Sequence, residues 1–196
     1  MIAIVGQFGL PLIIFSETGL LVGFFLPGDS LLITAGLFAA RGDLNLPLLI
    51  VTLIPAAILG NATGYQIGKR TGRALYSRPD SLLFRREHLR MTHEYYERKG
   101  GRTIIFAQFA PILRTFAPVV AGVAEMRYID FAKYNVVGAI AWIVSMVLGG
   151  YLLGNVIPGI DKRIDVVVMV VIAISLMPAA IAWLRSRLNK PAAPSA

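Results

Sequence analysis

A chain of 196 residues that is 56% hydrophobic and only 15% charged, with mean hydropathy +0.68, lies far from the roughly 25% charged content of soluble domains and reads as an integral membrane protein. The absence of cysteine excludes disulfides and thiolate metal ligands. The net charge of +8 raises nucleic acid as a partner, but ten of the 19 Lys and Arg residues fall between Lys69 and Arg102, between apolar runs, which is a positive-inside signal facing an anionic membrane surface; no nucleic-acid partner is expected.

In chain order, the first apolar run holds GLPLIIFSETGLLVGFFLPGDSLLITAGLFAA, with Glu17 inside it and Pro27-Gly28-Asp29 interrupting it. No Lys or Arg precedes Arg41, so the run is not expected to be a cleaved signal peptide. Its simplest reading is a re-entrant hairpin over 8–40, followed by a transmembrane helix over 45–69. On that helix Gly60, Gly64 and Gly68 recur every fourth residue, a face that lets another helix approach closely, and Asn61 beside it is placed to hydrogen-bond a neighbour.

Residues 70–102 read as a basic cytoplasmic helix or loop. His88 and His93 are five apart, which misses the four-residue spacing of a helical metal pair, so no metal site and no cofactor are expected. The next apolar segment, 103–124, contains FAQFAPILRTFAPVVAG, with Gln108, Pro111, Arg114 and Pro118. Spans are expected at 131–157 and 164–186, the first preceded by Arg127 and the second followed by Arg185, Arg187 and Lys190 in a tail at 187–196.

With the basic loop and the C-terminus both cytoplasmic, 103–124 has to enter and leave on one face. A second re-entrant hairpin, broken near Ala110 and Pro111, meets that demand, because proline removes a backbone donor and clashes with the preceding turn. The expected fold is therefore an all-α integral membrane protein, one domain over 1–190. It is a helical bundle with two opposed re-entrant hairpins in an inverted-repeat arrangement plus about three full transmembrane helices.

Glu17, Asp29 and Arg114 are ionisable groups at membrane depth, each costing at least ~2.5 kcal/mol at the centre of a span, so a functional role is the default reading. Arg114 offers a permanent fork of donors suited to phosphate. Burial raises a carboxyl pKa and a neighbouring Arg lowers it, so Glu17 and Asp29 are candidates to carry protons. A buried ion pair that only joins the two hairpins is the competing reading. Trp142, Trp183 and most other aromatics fit spans and interfaces and are given no chemistry.

Four stretches in order carry a family resemblance: FSETGLLVGFFLPGDSLLITAG, GNATGYQIGKRTG, YYERKGGRTIIFAQFAPILRTFAPVVAGVAEM and FAKYNVVGAIAW. The chain resembles the DedA family of bacterial inner-membrane proteins, whose domain is also called the SNARE-associated or VTT domain. The resemblance implies two opposed re-entrant hairpins, location in the bacterial inner membrane, and lipid transport. Family members are linked to flipping undecaprenyl phosphate, and related eukaryotic proteins are phospholipid scramblases.

Glu17 and Asp29 match the family's essential acidic positions and Arg114 the second of its two essential arginines. This chain has Gln108 where the family usually has arginine and Asn61 where it usually has aspartate. An amide pair between Gln108 and Asn61 in place of an ion pair is the expectation.

The resulting expectation is a flippase or scramblase for a phosphate-bearing lipid, coupled to protons, with Arg114, Glu17, Asp29, Gln108, Asn61, Pro111 and Pro27 forming its path. A proton-coupled cation antiporter is the alternative. An enzyme is not expected, since neither histidine sits in a nucleophilic constellation. The oligomeric state is open, a homo-oligomer being one option.

Overall fold

The structure, a computed structural model, describes residues 2–19, 28–76 and 101–156. Pro27, the basic stretch 77–100 with both histidines, and the span and tail expected at 164–186 and 187–196 lie outside the described residues. Among the described residues every regular element is a helix: α1 (Ile2–Gly19), α2 (Gly28–Ala40), α3 (Leu46–Tyr76), α4 (Arg102–Ala107), α5 (Pro111–Val123) and α6 (Tyr128–Val156).

Leu46–Gly72 of α3 and all of α6 are long and apolar enough to cross a membrane. At 1.5 Å per residue the 29 residues of α6 reach about 43 Å, beyond a hydrocarbon core of about 30 Å. The 13 residues of α2 and of α5 reach only about 20 Å each, so neither crosses such a layer alone.

Burial departs from that of a water-soluble protein, although apolar side chains also fill the interior. Glu17, Asn61, Gln108, Arg114 and Asn135 are buried, whereas Phe8, Leu12, Val51, Leu59, Phe106, Ile129, Val137 and Leu152 face outward. An exposed apolar surface around an interior that also holds buried polar groups is what a lipid solvent favours.

Local chemistry sets the helix ends. Asp29 stands in the first turn of α2, where the helix dipole favours an anion. The α2–α3 connection turns at Gly42, whose φ of 81° suits glycine. Asn45 then caps α3, its Oδ1 accepting the Leu48 N–H at 2.9 Å.

The break between α4 and α5 falls at 108–110. Ala110 is extended (φ −114°, ψ 112°), the conformation that the following Pro111 imposes, and Pro111 opens α5 where its missing N–H costs nothing. The turn from α5 to α6 places Glu125 at φ 54° and is closed by N–H bonds from Glu125 to the Gly122 carbonyl and from Met126 to the Ala121 carbonyl. The Tyr65 hydroxyl donates to the Met126 carbonyl and so ties this turn to α3.

Helix bounds differ from the expected spans mainly at one end. α3 continues to Tyr76, seven residues past the expected end at 69, because Lys69, Arg70, Arg73, Ala74 and Leu75 are good helix formers and no proline intervenes, Gly72 being held inside the helix against Val123 of α5.

Glycine sets how closely the helices approach. A Cβ on Gly36 of α2 would collide with the Val147 carbonyl of α6, and one on Gly150 of α6 with the Ile33 carbonyl of α2. Likewise Gly68 of α3 lies against the Val119 carbonyl of α5, and Gly122 of α5 against the Tyr65 carbonyl of α3. Of the stripe read from the sequence, Gly60 receives Thr18 and the Phe15 carbonyl of α1, a Cβ on Gly64 would lie 3.5 Å from Pro118, and Gly68 receives α5.

Gly150→Ala is expected to lower stability by about 1–3 kcal/mol, the range for overpacking a tight contact. Gly149→Ala, with nothing within 4 Å of its added methyl, is expected to leave the thermal midpoint unchanged or raised. Thermal unfolding of the two variants in one detergent checks the contrast.

Candidate functional site

Four helices deliver one side chain each to a common point. Glu17 comes from the last turn of α1, Asp29 from the first turn of α2, Arg114 from the first turn of α5 and Trp142 from the middle of α6. Arg114 Nη2 donates to Glu17 Oε1 at 2.6 Å, and Arg114 Nη1 to Asp29 Oδ1 at 2.6 Å. Arg114 and Glu17 are 2% and 1% exposed, while the Asp29 side chain, at 24%, is the member reachable from outside the cluster.

The positions are electrostatically unequal. Asp29 sits at a helix N-terminus, which favours it; Arg114 also sits near a helix N-terminus, where a cation is disfavoured. The two carboxylates, with the Gln108 main-chain carbonyl accepting from Nη1 at 3.3 Å, offset that penalty. Gly28 makes the approach of α1 to α2 feasible, since a Cβ there would overlap the Glu17 carboxyl.

Trp142, expected from the sequence to be only a span aromatic, belongs to the cluster. Its indole Nε1 donates to the same Asp29 Oδ1 at 2.8 Å, and the Arg114 guanidinium carbon lies 4.1 Å from its ring centroid, a cation–π contact. The missed signal was register: Asn135, Gly138 and Trp142 recur at helical spacing, and all three face the polar interior.

Asn61 and Gln108 are both buried, but they do not form the expected amide pair. Asn61 Nδ2 donates instead to Asn135 Oδ1 at 2.8 Å, and Asn135 Nδ2 donates to the Ile58 carbonyl at 3.1 Å. The Asn135 bond to Ile58 fixes the orientation of its amide and so that of Asn61, whose Oδ1 points away. Gln108 packs its side chain over Gly138, and it is its main chain that meets Arg114. Asn61 Oδ1, Gln108 Oε1, Glu17 Oε2 and Arg114 Nε have no hydrogen-bond partner among the described residues.

Pro111 contributes by breaking the chain, which places Arg114 one turn into α5. No cluster of three or more metal-ligating side chains occurs among the described residues.

The sequence that builds this site matches a known family of membrane proteins. The model of the VTT domain matches residues 26–152. The chain is 46% identical over 178 residues to Protein DedA of Escherichia coli K12, covering 90% of this chain and 81% of that protein. It is 40% identical over 190 residues to an uncharacterized membrane protein of Mycobacterium tuberculosis H37Rv, covering 93% and 82%. It is 30% identical over 148 residues to the inner membrane protein YqjA of Escherichia coli K12, covering 76% and 67%. No solved structure matches. The chain belongs to the DedA family of VTT-domain membrane proteins.

Arg114→Gln strands Glu17 without its cation and is expected to cost about 3–5 kcal/mol of stability, as breaking one side of a buried pair does. Adding Glu17→Gln to that variant is expected to restore part of the loss, since the stranded charge is gone. Thermal unfolding of both variants measures it; a double variant no better than Arg114→Gln alone would show that the pair is not the cause.

Proposed function

We propose that the protein moves a phosphate-bearing lipid across the bacterial inner membrane as a flippase or scramblase, undecaprenyl phosphate being the intended cargo. The observation that carries this is Arg114, a permanent cation buried at the meeting point of four helices, with fork geometry suited to phosphate and Nε unpaired among the described residues. In this reading α1–α2 and α4–α5 are re-entrant hairpins opening to opposite faces, and a third full span follows at 164–186. The basic loop and the C-terminus lie on the cytoplasmic side against anionic lipid. The head group passes along the polar interior and the acyl chains stay in the bilayer.

Charge counting supports a role for protons. Arg114 balances one of the two carboxylates, so the ionised cluster carries one excess negative charge before a phosphate arrives. Bringing in a phosphate anion adds like charge in a low dielectric, and protonating Glu17 or Asp29 is the direct way to remove it. Proton binding on one face and release on the other would couple transport to the proton motive force.

A second reading rests on a different observation. Glu17 Oε2, Asn61 Oδ1 and Gln108 Oε1 are three buried acceptor oxygens with no donor among the described residues, which suits a cation better than a phosphate. Under it the protein is a proton-coupled cation antiporter and Arg114 only a counter-ion.

Purified protein in liposomes separates the two readings. Undecaprenyl phosphate is expected to be translocated faster than an ordinary phospholipid, with loss in Arg114→Ala and weaker dependence on an imposed pH gradient in Glu17→Gln. No movement of either lipid, with a pH gradient that collapses on adding sodium or potassium, would replace the lipid reading with the antiporter.

A further inference from the structure

The tight helix contacts divide the molecule in an unexpected way. In the α2–α6 contact, Ile33 and Gly36 face Val147 and Gly150, each glycine lying against the carbonyl three residues before the other. The α3–α5 contact repeats this: Tyr65 and Gly68 face Val119 and Gly122 with the same offsets and the same reciprocity. Two further pairs follow. α1 seats Thr18 on Gly60 of α3, and α4 seats Gln108 and Ile105 on Gly138 of α6, with Gly101 against the Tyr134 ring.

By these closest approaches the helices group into two three-helix bodies, α1 and α5 each on α3, and α2 and α4 each on α6, with an α3–α6 contact between them. Exchanging α1 with α4, α2 with α5 and α3 with α6 turns one body into the other. Successive helices alternate between them, so the described connections at 41–45, 108–110 and 124–127 all cross the divide. In the α2–α6 and α3–α5 pairs, backbone lies against backbone with no side chain between, which resists sliding. Between bodies the contacts run through side chains: an apolar cluster including Leu53, Ala57, Ala139 and Ile143, the Asn135 bonds to the Asn61 side chain and the Ile58 carbonyl, and the charged site.

The charged site is partitioned along the same line. Glu17 and Arg114 belong to the first body, and Asp29 and Trp142 to the second. The Glu17–Arg114 pair and the Trp142–Asp29 hydrogen bond are therefore internal, whereas Arg114–Asp29, the longer Arg114 bond to the Gln108 carbonyl and the Arg114–Trp142 ring contact bridge the bodies. Two donors from different bodies share one oxygen, Asp29 Oδ1.

Building on the phosphate-lipid reading, we infer that a phosphate takes the place of Asp29 on Arg114, freeing the two bodies to rock while Trp142 keeps the displaced carboxylate. Separation then leaves each of these groups a hydrogen-bond partner: Arg114 holds Glu17 and the phosphate, and Asp29 keeps the indole N–H at its helix N-terminus. Without the indole, the same step would strand a carboxylate whose cation had left, which buried charge pairs resist strongly. Trp142 is thus a positioning residue that acts through Asp29.

The absence of native cysteine allows clean spin labelling at lipid-facing positions. Labels at Leu59→Cys and Val137→Cys report between bodies, and labels at Leu59→Cys and Phe116→Cys report within the first. Electron–electron distance measurements are made in nanodiscs with decyl phosphate as the probe and decyltrimethylammonium as the control.

Decyl phosphate is expected to shift the distance between bodies and leave the internal one unchanged, and the ammonium amphiphile to shift neither. Trp142→Phe, which keeps the ring and loses the N–H, is expected to require several-fold more decyl phosphate for the same shift. A distance between bodies that does not respond to decyl phosphate, an internal distance that moves with it, or an equal response to the ammonium amphiphile would overturn the inference. Lipid translocation with an unmoved distance overturns the two-body motion alone. A shifted distance without lipid translocation overturns the transport reading and leaves the phosphate exchange standing.

Discussion

A guanidinium cannot surrender its proton to reduce the cost of burial, so a chain that places Arg114 inside an apolar bundle has to supply permanent partners for it. Glu17, Asp29, the Gln108 carbonyl and the face of Trp142 are those partners, and they come from four different parts of the chain. The breaks, the tight helix contacts and the placement of the short helices all serve to bring these groups to one point. The partners are also in excess of what one cation needs for neutrality, which leaves the site able to exchange a member instead of locking shut.

The short helices explain how such a site can exist at depth. A helix of 13 residues is too short to cross the layer that one of 29 can span, and a helix terminus held at depth exposes backbone groups that must be buried in protein. The N-termini of α2 and α5 meet this need at the cluster itself, Asp29 gaining from its helix end and Arg114 held there against it. Glycine contacts with α6 and α3 then brace these two helices against full-length ones, so that the charged residues stand on rigid supports although the chain around them is broken.

Much of this was legible in the sequence, and for a physical reason. Ionisable residues in apolar runs are rare enough that Glu17, Asp29 and Arg114 stand out in the sequence alone, and the Ala110-Pro111 step announces the break that the backbone shows. Trp142 was not legible, because a tryptophan in an apolar span looks like packing until its N–H is seen to have a carboxylate partner. Asn135 was hidden similarly, lying close to the polar start of α6. The pairing of Asn61 with Gln108 failed because charge balance between two positions says nothing of which third side chain stands nearer. The helix bounds, set by weak propensities, were read only approximately, as the extension of α3 to Tyr76 shows.

The central claim is that Asp29 and a phosphate compete for the same guanidinium. Calorimetric titration of decyl phosphate into the detergent-solubilised protein tests it most directly, comparing wild type, Asp29→Asn and Arg114→Gln. The account predicts tighter binding in Asp29→Asn, where the anionic competitor is removed and an amide can still accept from Trp142, and no binding in Arg114→Gln. Weaker binding in Asp29→Asn, or undiminished binding without Arg114, would contradict it.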